Sequence, residues 1–427
     1  MLASIAAHVQ TVAPLKLSKA NLTREAVATQ QPHILFSGRK GGVTVVAGIV
    51  SEYNPFHNGH MYHIEKTRQS GADTVVCVMS GNFVQRGECA ILPKHKRAEA
   101  AIRGDADLVI DLPVPWAMSS AESFARGSIS LLSAVGIDIL SFGSEVDSKA
   151  LLYRAAEATE DARVSQRIKE LMSEGMSYPA ALSKSTEEIY GAEVSALLTQ
   201  PNSTLAVEYI RQLKNYRPDC DILPVKRKAV SHDSTETAEG FASASRIREL
   251  AAEDDVSGFV PSFSLQYGEE LYSVKYAERA ILSVLRETPK GEYSLYVTDQ
   301  KGLSDRIYNA VKSADSLEAL YAAAKSKNYT HSRVRREVMN IYLKIPASFS
   351  LKTPPFIKVL AANSKGLSLL KKARLPVVTK HSDAVFVDAF SKQVYDLQCS
   401  TTDKFSLMAE KITPMGNEQK NSVIIIK

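Results

Sequence analysis

The chain has 427 residues, 44% hydrophobic and 23% charged, with 21 Gly and 17 Pro, which excludes a disordered chain, a collagen-like repeat and a coiled-coil rod. No apolar run approaches the roughly 18 residues of a membrane span. The four scattered cysteines (Cys77, Cys89, Cys220, Cys399) form neither a zinc spacing nor a disulfide framework, so a reducing, cytoplasmic setting and no membrane are expected. The net charge of +5 is uneven: residues 1–43 carry five basic groups and one acid, 44–250 carry 22 and 27, and 251–427 carry 25 and 19.

At roughly 100–200 residues per domain, the length predicts two or three domains. Residues 1–43 are rich in Ala, Thr, Gln and Ser and have weak periodicity. They read as a mobile, dispensable N-terminal extension, and the lack of Lys or Arg in the first ten residues argues against a signal peptide. From residue 44, apolar runs alternate with helical periodicity. Strands are predicted over 45–50, 74–79, 107–112 and 137–142, with helices over 59–69, 94–103 and 119–133 between or after them. This alternation predicts an α/β fold with a Rossmann-like parallel sheet and right-handed crossovers. Ligands of such sheets bind beyond the carboxyl ends of the strands, here the loops after Val50, Met79, Leu112 and Phe142.

Residues 147–217 read as helical, 221–225 as a strand and 243–250 as the start of a helix. A helical region is predicted over 253–345 and a small mixed α/β region over 346–427, with strands at 356–360, 385–387 and 394–397 and part of a helix at 366–372. Isoleucines 424–426 read as a strand end or a disordered tail. The predicted catalytic domain spans 44–252.

The loop after the first strand reads Glu52-Tyr53-Asn54-Pro55-Phe56-His57-Asn58-Gly59-His60. It follows a buried strand and opens a helix, whose free N–H groups and dipole favour a phosphate. Gly59 permits close backbone approach. His57 and His60 share one face and can each donate a hydrogen bond to phosphate oxygens, more strongly when protonated. His57, His60 and His63 could imitate a metal cluster, but no further ligand stands at a useful spacing, so no metal site is expected. A single histidine at a helix start is usually structural; H-x-G-H directly after a strand resembles the HIGH motif of nucleotidyltransferases and class I aminoacyl-tRNA synthetases. Those enzymes direct attack onto the α-phosphate of a nucleoside triphosphate. Their second motif has a counterpart in Ala242-Ser243-Ala244-Ser245-Arg246-Ile247-Arg248, where Ser243 and Ser245 would cap a helix and meet phosphate and Arg248 would clamp the β/γ end.

The resemblance extends further. Residues 48–63, Ser80-Gly81-Asn82-Phe83-Val84-Gln85-Arg86-Gly87-Glu88, Lys94-x-x-Arg97, Asp107-Leu108-Val109-Ile110-Asp111-Leu112-Pro113, Ser120-Ala121-Glu122-Ser123-Phe124-Ala125-Arg126-Gly127 and Phe142-Gly143-Ser144-Glu145 come in succession. With Pro201-Asn202 and Val225-Lys226-Arg227, they resemble the bacterial tRNA(Met) cytidine acetate ligase family, within the HUP/nucleotidyltransferase fold. The resemblance runs from about residue 44 to the C-terminus. Cys89 replaces a usual Pro, and residues 228–231 replace a more apolar, Gly-containing stretch.

The resemblance implies that ATP, with Mg²⁺, activates acetate as acetyl-adenylate. The acetyl group then passes to N4 of the wobble cytidine of elongator tRNA(Met), giving N4-acetylcytidine. His57 and His60 would be catalytic. The implied ATP contacts are Val50, Ser51, Glu52, Tyr53, Asn54, Pro55, Phe56, His57, Asn58, Gly59, His60, Met61, Tyr62, His63, Gly143, Asn202 and Arg227, joined by Ser243 and Arg248 of the second motif. Arg86 and Asn82 are candidates for nucleotide or acetyl positioning. Acetate is its own nucleophile, so no catalytic Ser or Cys is required.

Between residues 325 and 380 stand 13 basic residues and one acid, Glu337. That is either a solvated face or a footprint for a polyanion. Given the resemblance, Arg333, Arg335, Arg336, Lys371 and Lys372, with Lys358, Lys365 and Arg374, are expected to grip tRNA phosphates. The competing readings are a nucleotidyltransferase acting on a small phosphorylated metabolite, against which the basic stretch argues, and a non-catalytic RNA-binding protein, against which the His57/His60 pair argues.

Overall fold

The computed structural model describes residues 44–227, 240–252, 255–266, 268–298, 302–326, 329–386 and 388–427; the expected N-terminal extension, the stretch 228–231 and Val387 lie outside them. In chain order the first half contains β1 (Val46–Ser51), α1 (Asn58–Gln69), β2 (Thr74–Ser80), β3 (Phe83–Val84), β4 (Glu88–Cys89), α2 (Lys94–Arg103), β5 (Leu108–Leu112), α3 (Val114–Ala117), α4 (Ala121–Val135) and β6 (Ile139–Ser144). Then follow α5 (Lys149–Glu160), α6 (Ala162–Ser173), α7 (Tyr178–Tyr190), α8 (Ala192–Leu198), α9 (Pro201–Tyr216), β7 (Asp221–Lys226) and α10 (Ala244–Leu250). A helical region holds α11 (Glu278–Glu287), α12 (Tyr293–Tyr296), α13 (Leu303–Ser313), α14 (Leu317–Ala324) and α15 (His331–Leu343). The last part comprises β8 (Ile357–Ala362), α16 (Ser364–Leu370), β9 (Val377–Val378), α17 (Ala389–Phe405), α18 (Asn417–Lys420) and β10 (Ile424–Ile425).

The central sheet runs β10-β8-β5-β2-β1-β6-β7, with β9 on β8. β5, β2, β1, β6 and β7 are mutually parallel. All seven residues of β2 are buried, because helices cover both faces of a parallel sheet. Its side chains alternate between two cores: Val76 and Val78 join Phe124, Leu131 and Val207 on the α4/α9 side, whereas Val75, Cys77 and Met79 join Ile64, Ala98 and Ile102 on the α1/α2 side. The helical region has its own core, including Ile281, Leu285, Leu320, Val338 and Tyr342, which also receives Phe83, Cys89 and Phe405 from outside it. No described helix is long and apolar enough to cross a membrane.

Residues 346–427 extend this same sheet. β8 pairs antiparallel with β5, and β9 and β10 pair parallel with β8. Residues 394–397, expected as a strand, lie inside α17. Phe390, Val394, Leu397, Thr401 and Phe405 recur at spacings of three and four, and Asp388 caps the helix by accepting from Ser391 N at 2.8 Å. Val385 and Phe386, also expected in a strand, lie in an irregular stretch.

Lys358, read from sequence as a tRNA contact, is only 1% exposed. It belongs to a buried ionic cluster that joins the C-terminal region to the sheet. Lys94 Nζ lies 2.6 Å from Asp111 Oδ2 and 2.7 Å from Glu418 Oε2, and Lys358 Nζ is 3.9 Å from Glu418 Oε1. Gln398 donates to Asp111 and Thr402 to Glu418. Burial disfavours the Lys94 charge, but Asp111 and Glu418 outweigh burial and raise its pKa. For Lys358 burial prevails and the pKa falls.

Candidate active site

The sheet grows from β1 through β2 to β5 on one side, and through β6 to β7 on the other. The order reverses between β1 and β6, so a crevice opens beyond their carboxyl ends. A cavity of about 300 Å³ lies there. Its walls are the loop after β1, Phe142 and Gly143 of β6, Val225 and Lys226 of β7 with Arg227, the start of α10, and Val84, Gln85, Arg86 and Glu88 of the β3–β4 hairpin.

His57 is the N-cap of α1. Its Nδ1 accepts from Gly59 N at 3.0 Å, while its own backbone N–H donates to His60 Nδ1 at 3.2 Å. The two rings stack with centroids 3.7 Å apart. A neutral imidazole whose Nδ1 accepts must carry its proton on Nε2, so backbone geometry selects the Nε2–H tautomer in both histidines. Burial foremost, then Arg227 and Arg248, draws the His57 pKa down to about 3. Burial, with His57, His63 and Arg227, holds His60 well below its usual 6.5. Both rings are therefore neutral near pH 7, each with an Nε2–H to donate.

One helical turn further, His63 Nε2 lies 2.9 Å from Ser141 Oγ, Thr67 Oγ1 lies 2.7 Å from Ser141 Oγ, and Thr67 Oγ1 donates to the His63 carbonyl at 2.8 Å. One assignment satisfies all three contacts: Thr67 gives its proton to the carbonyl, Ser141 donates to Thr67, and His63 Nε2–H donates to Ser141. Burial brings His63 to a pKa of about 4.

The second motif reaches back to the first. Ser243 caps α10 by accepting from Arg246 N at 3.1 Å. Arg248 donates from Nη1 to the Asn54 carbonyl at 2.9 Å and from Nη2 to Ser245 Oγ at 3.1 Å. Asn58 Nδ2 donates to the carbonyls of Gly240 and Gly258, binding the segment before and after α10 to the start of α1. Across the cavity, Glu145 accepts from Asn202 Nδ2 at 2.7 Å and from Ser203 Oγ at 2.6 Å. Burial opposes the Glu145 charge, but those hydrogen bonds outweigh it and lower the carboxyl pKa.

Of the residues expected at ATP, Val50, Ser51, Glu52, Tyr53, Asn54, His57, Gly59, His60, Tyr62, His63, Gly143, Asn202, Arg227 and Arg248 line the cavity. Pro55, Phe56, Asn58, Met61 and Ser243 stand behind that wall, where Phe56 is buried and Ser243 serves as a cap. Arg86 lines the cavity; Asn82 does not, for its Oδ1 accepts from Lys94 N and its Nδ2 faces Thr402. Sequence reasoning missed the apolar wall of Phe124, Phe142, Leu205, Tyr209 and Val225, together with Gln85, Glu88 and Lys226. The signal for Phe142, Val225 and Lys226 was their place at the carboxyl ends of strands, and Gln85, Glu88 and Phe124 stand inside quoted motifs; Leu205 and Tyr209, on α9, carry no chemical signature.

The basic stretch does not form one surface. Lys365 Nζ donates to Asp73 O, Asn363 N to Asp107 O and Arg374 N to Ala134 O. These acceptors precede β2, β5 and β6, so α16 and the exposed Lys371 and Lys372 beyond it lie at the amino edge of the sheet, opposite the cavity. Arg333 donates to Thr298 O at 3.0 Å. Arg335 pairs with Glu88 at 2.6 Å, and Arg336 donates to Gln85 O at 3.1 Å.

Comparison with known proteins matches residues 44–420 to the HIGH Nucleotidyl Transferase family. A tRNA(Met) cytidine acetate ligase of Acetivibrio thermocellus is 32% identical over 415 residues, covering 89% of this chain and 100% of the relative. The protein of the same name from Thermoanaerobacter sp. is 34% identical over 358 residues, covering 79% and 89%. Among solved structures, apo Thermotoga maritima TmcAL aligns with a TM-score of 0.81 at 26% identity, over 90% of this chain and 100% of that one. The same protein bound with alpha-thio ATP aligns at 0.80 and 27% identity, with the same coverage.

Proposed function

The chain belongs to the tRNA(Met) cytidine acetate ligase family of HIGH nucleotidyl transferases, and from that premise we propose that it joins acetate to N4 of the wobble cytidine of elongator tRNA(Met) at the expense of ATP. An acetate oxygen attacks the α-phosphorus, the bond to the β-phosphate oxygen breaks, and pyrophosphate leaves. The cytidine amine then attacks the acyl carbon, its C–O bond to AMP breaks, and the amine proton passes to AMP phosphate or water.

The observation that carries this reading is the paired Nε2–H tautomer of His57 and His60 beside Arg227 and Arg248, at the carboxyl end of β1. In this reading the two imidazoles donate to the α-phosphate and the departing pyrophosphate without changing protonation state. The guanidinium groups offset the charge that gathers as one anion approaches another, which is electrostatic stabilisation of the transition state. Asn202, held by Glu145, and Gly143 frame the nucleoside end. The amine step requires the cytosine to be unstacked and held against the mixed anhydride.

Glu52 and Glu88 are the carboxylates lining the cavity, and the described residues contain no cluster of three or more His, Cys, Asp or Glu able to cage a metal. Mg²⁺ fits as a counter-ion carried by triphosphate oxygens and water, supplying charge neutralisation when bound. All four cysteines are free and buried, which supports a reducing, cytoplasmic setting.

The test is incubation with ATP, labelled acetate and elongator tRNA(Met), followed by nucleoside mass spectrometry. N4-acetylcytidine is expected; a folded protein that leaves the tRNA unlabelled refutes the proposal.

A further inference from the structure

The β3–β4 hairpin is a two-stranded ribbon, Phe83 opposite Cys89 and Val84 opposite Glu88. Such a ribbon is marginal alone and takes its position from whatever holds it. Its base is sunk in the helical core, with Phe83 edge-on to Phe405 at 6.0 Å. Its turn lies flush on α15. Gly87 adopts φ +77°, and a Cβ there would stand 2.4 Å from Arg336 N and 2.6 Å from Arg335 C, so only glycine permits this approach. The two arginines complete the grip: Arg336 donates to the Gln85 carbonyl, and Arg335, over the Tyr321 ring, pairs with Glu88. On its other side the hairpin faces the cavity, and Gln85 N donates to Glu52 Oε1 at 2.9 Å. Buried Arg97 fixes the loops that flank it, donating to the carbonyls of Glu52, Ser80, Gly81 and Leu92.

We propose that Arg335 and Arg336 are positioning residues for acetyl-adenylate formation: through Glu88 and Gln85 they hold the hairpin as a wall of the cavity, and they are not phosphate contacts for tRNA. The role in catalysis rests on the function proposed above; the hold on the hairpin does not. The reach is long in sequence, as residues 335 and 336 act on a site built from residues 50–90. The geometry favours this use because each guanidinium already commits Nη1 to the hairpin, and the Arg335 charge is paired with Glu88.

Two measurements separate the hairpin from the chemistry. Hydrogen exchange of the amides at 84–88 is expected to accelerate by about tenfold or more in Arg335→Glu and Arg336→Ala, with α4 and β2 unchanged. Acetate-dependent exchange of pyrophosphate into ATP is expected to fall, with KM for acetate rising by about fivefold to tenfold. The tRNA affinity and its dependence on salt should stay as in the unaltered chain. The double variant Glu88→Arg with Arg335→Glu restores the ion pair in reverse and is expected to recover hairpin protection, which neither single change leaves intact. Unchanged hydrogen exchange overturns the proposal. So does weakened tRNA binding with a shallower salt slope and intact pyrophosphate exchange. If the unaltered chain shows no acetate-dependent exchange, the proposed function fails, and the amides at 84–88 still report on the arginines.

Discussion

His57 gives its backbone N–H to the ring of His60 while its own ring caps the next turn at Gly59. Each histidine thus spends one nitrogen on the helix start and presents the other, protonated, to the cavity. The first motif works as a unit, and its parts should fail together.

Replacing His57 by Ala removes both an N-cap and a donor, whereas His57→Asn keeps a capping side chain. Both variants are expected to lower acetate-dependent pyrophosphate exchange by about 10²–10³-fold, the usual cost of one transition-state donor. His57→Asn should retain the thermal stability that His57→Ala loses. Exchange near the unaltered rate in His57→Asn would remove His57 from the catalytic role.

His57 at the cap of α1, with His60 and His63 inside it, sets a pH dependence of stability. Their ordinary value is 6.5; in the folded chain His57 lies near 3, His63 near 4 and His60 well below 6.5. Below pH 6.5 the unfolded chain binds protons that the folded chain refuses, so this contribution is full above that value and declines as pH falls from 6.5 toward 3. The melting temperature of the triple variant His57→Asn, His60→Asn, His63→Asn should fall less steeply across that window, as followed by calorimetry. An identical slope would show that these imidazoles take up protons in the folded chain as readily as in the unfolded one.

Glu145 is a support for Asn202, which lines the cavity. Glu145→Ala frees the Asn202 amide and the Ser203 hydroxyl. It is expected to raise KM for ATP by about fivefold to tenfold with a smaller change in kcat, as loss of ground-state binding does. Steady-state kinetics with varied ATP checks this, and a pure kcat effect would contradict it.

The buried cluster predicts an asymmetry. Glu418→Ala leaves Lys94 and Lys358 facing Asp111 alone, and breaking a buried pair costs about 3–5 kcal/mol. Lys358→Met removes an ammonium that is 3.9 Å from Glu418 and has no described hydrogen-bond partner. It should be far less damaging, because burial already disfavours that charge. Urea unfolding of the two variants measures the difference.

What could be read from the sequence was local. The strands 45–50 and 74–79 were plain because a sheet covered on both faces needs unbroken apolar runs, and His57-x-Gly59-His60 was plain because its chemistry lies within four residues. Lys358 was misread because its burial depends on Asp111 and Glu418, which are distant in sequence. The 394–397 stretch was misread because Val394 and Leu397 suit a strand until Phe390, Thr401 and Phe405 reveal the longer period. The hairpin went unseen as an element because strands of two residues leave no pattern, although its Gln85 and Arg86 stood inside a quoted motif.

The strand beside β5 has a consequence for the order of assembly. β8 is made more than 240 residues after β5, yet it occupies the flank of the nucleotide-binding sheet, and Glu418 completes the charge set around Lys94 later still. A nascent chain on the ribosome therefore holds Lys94 without its second carboxylate until more than 300 further residues have been made. The sheet that begins with β1 is thus closed on its β5 flank only by residues made long after it.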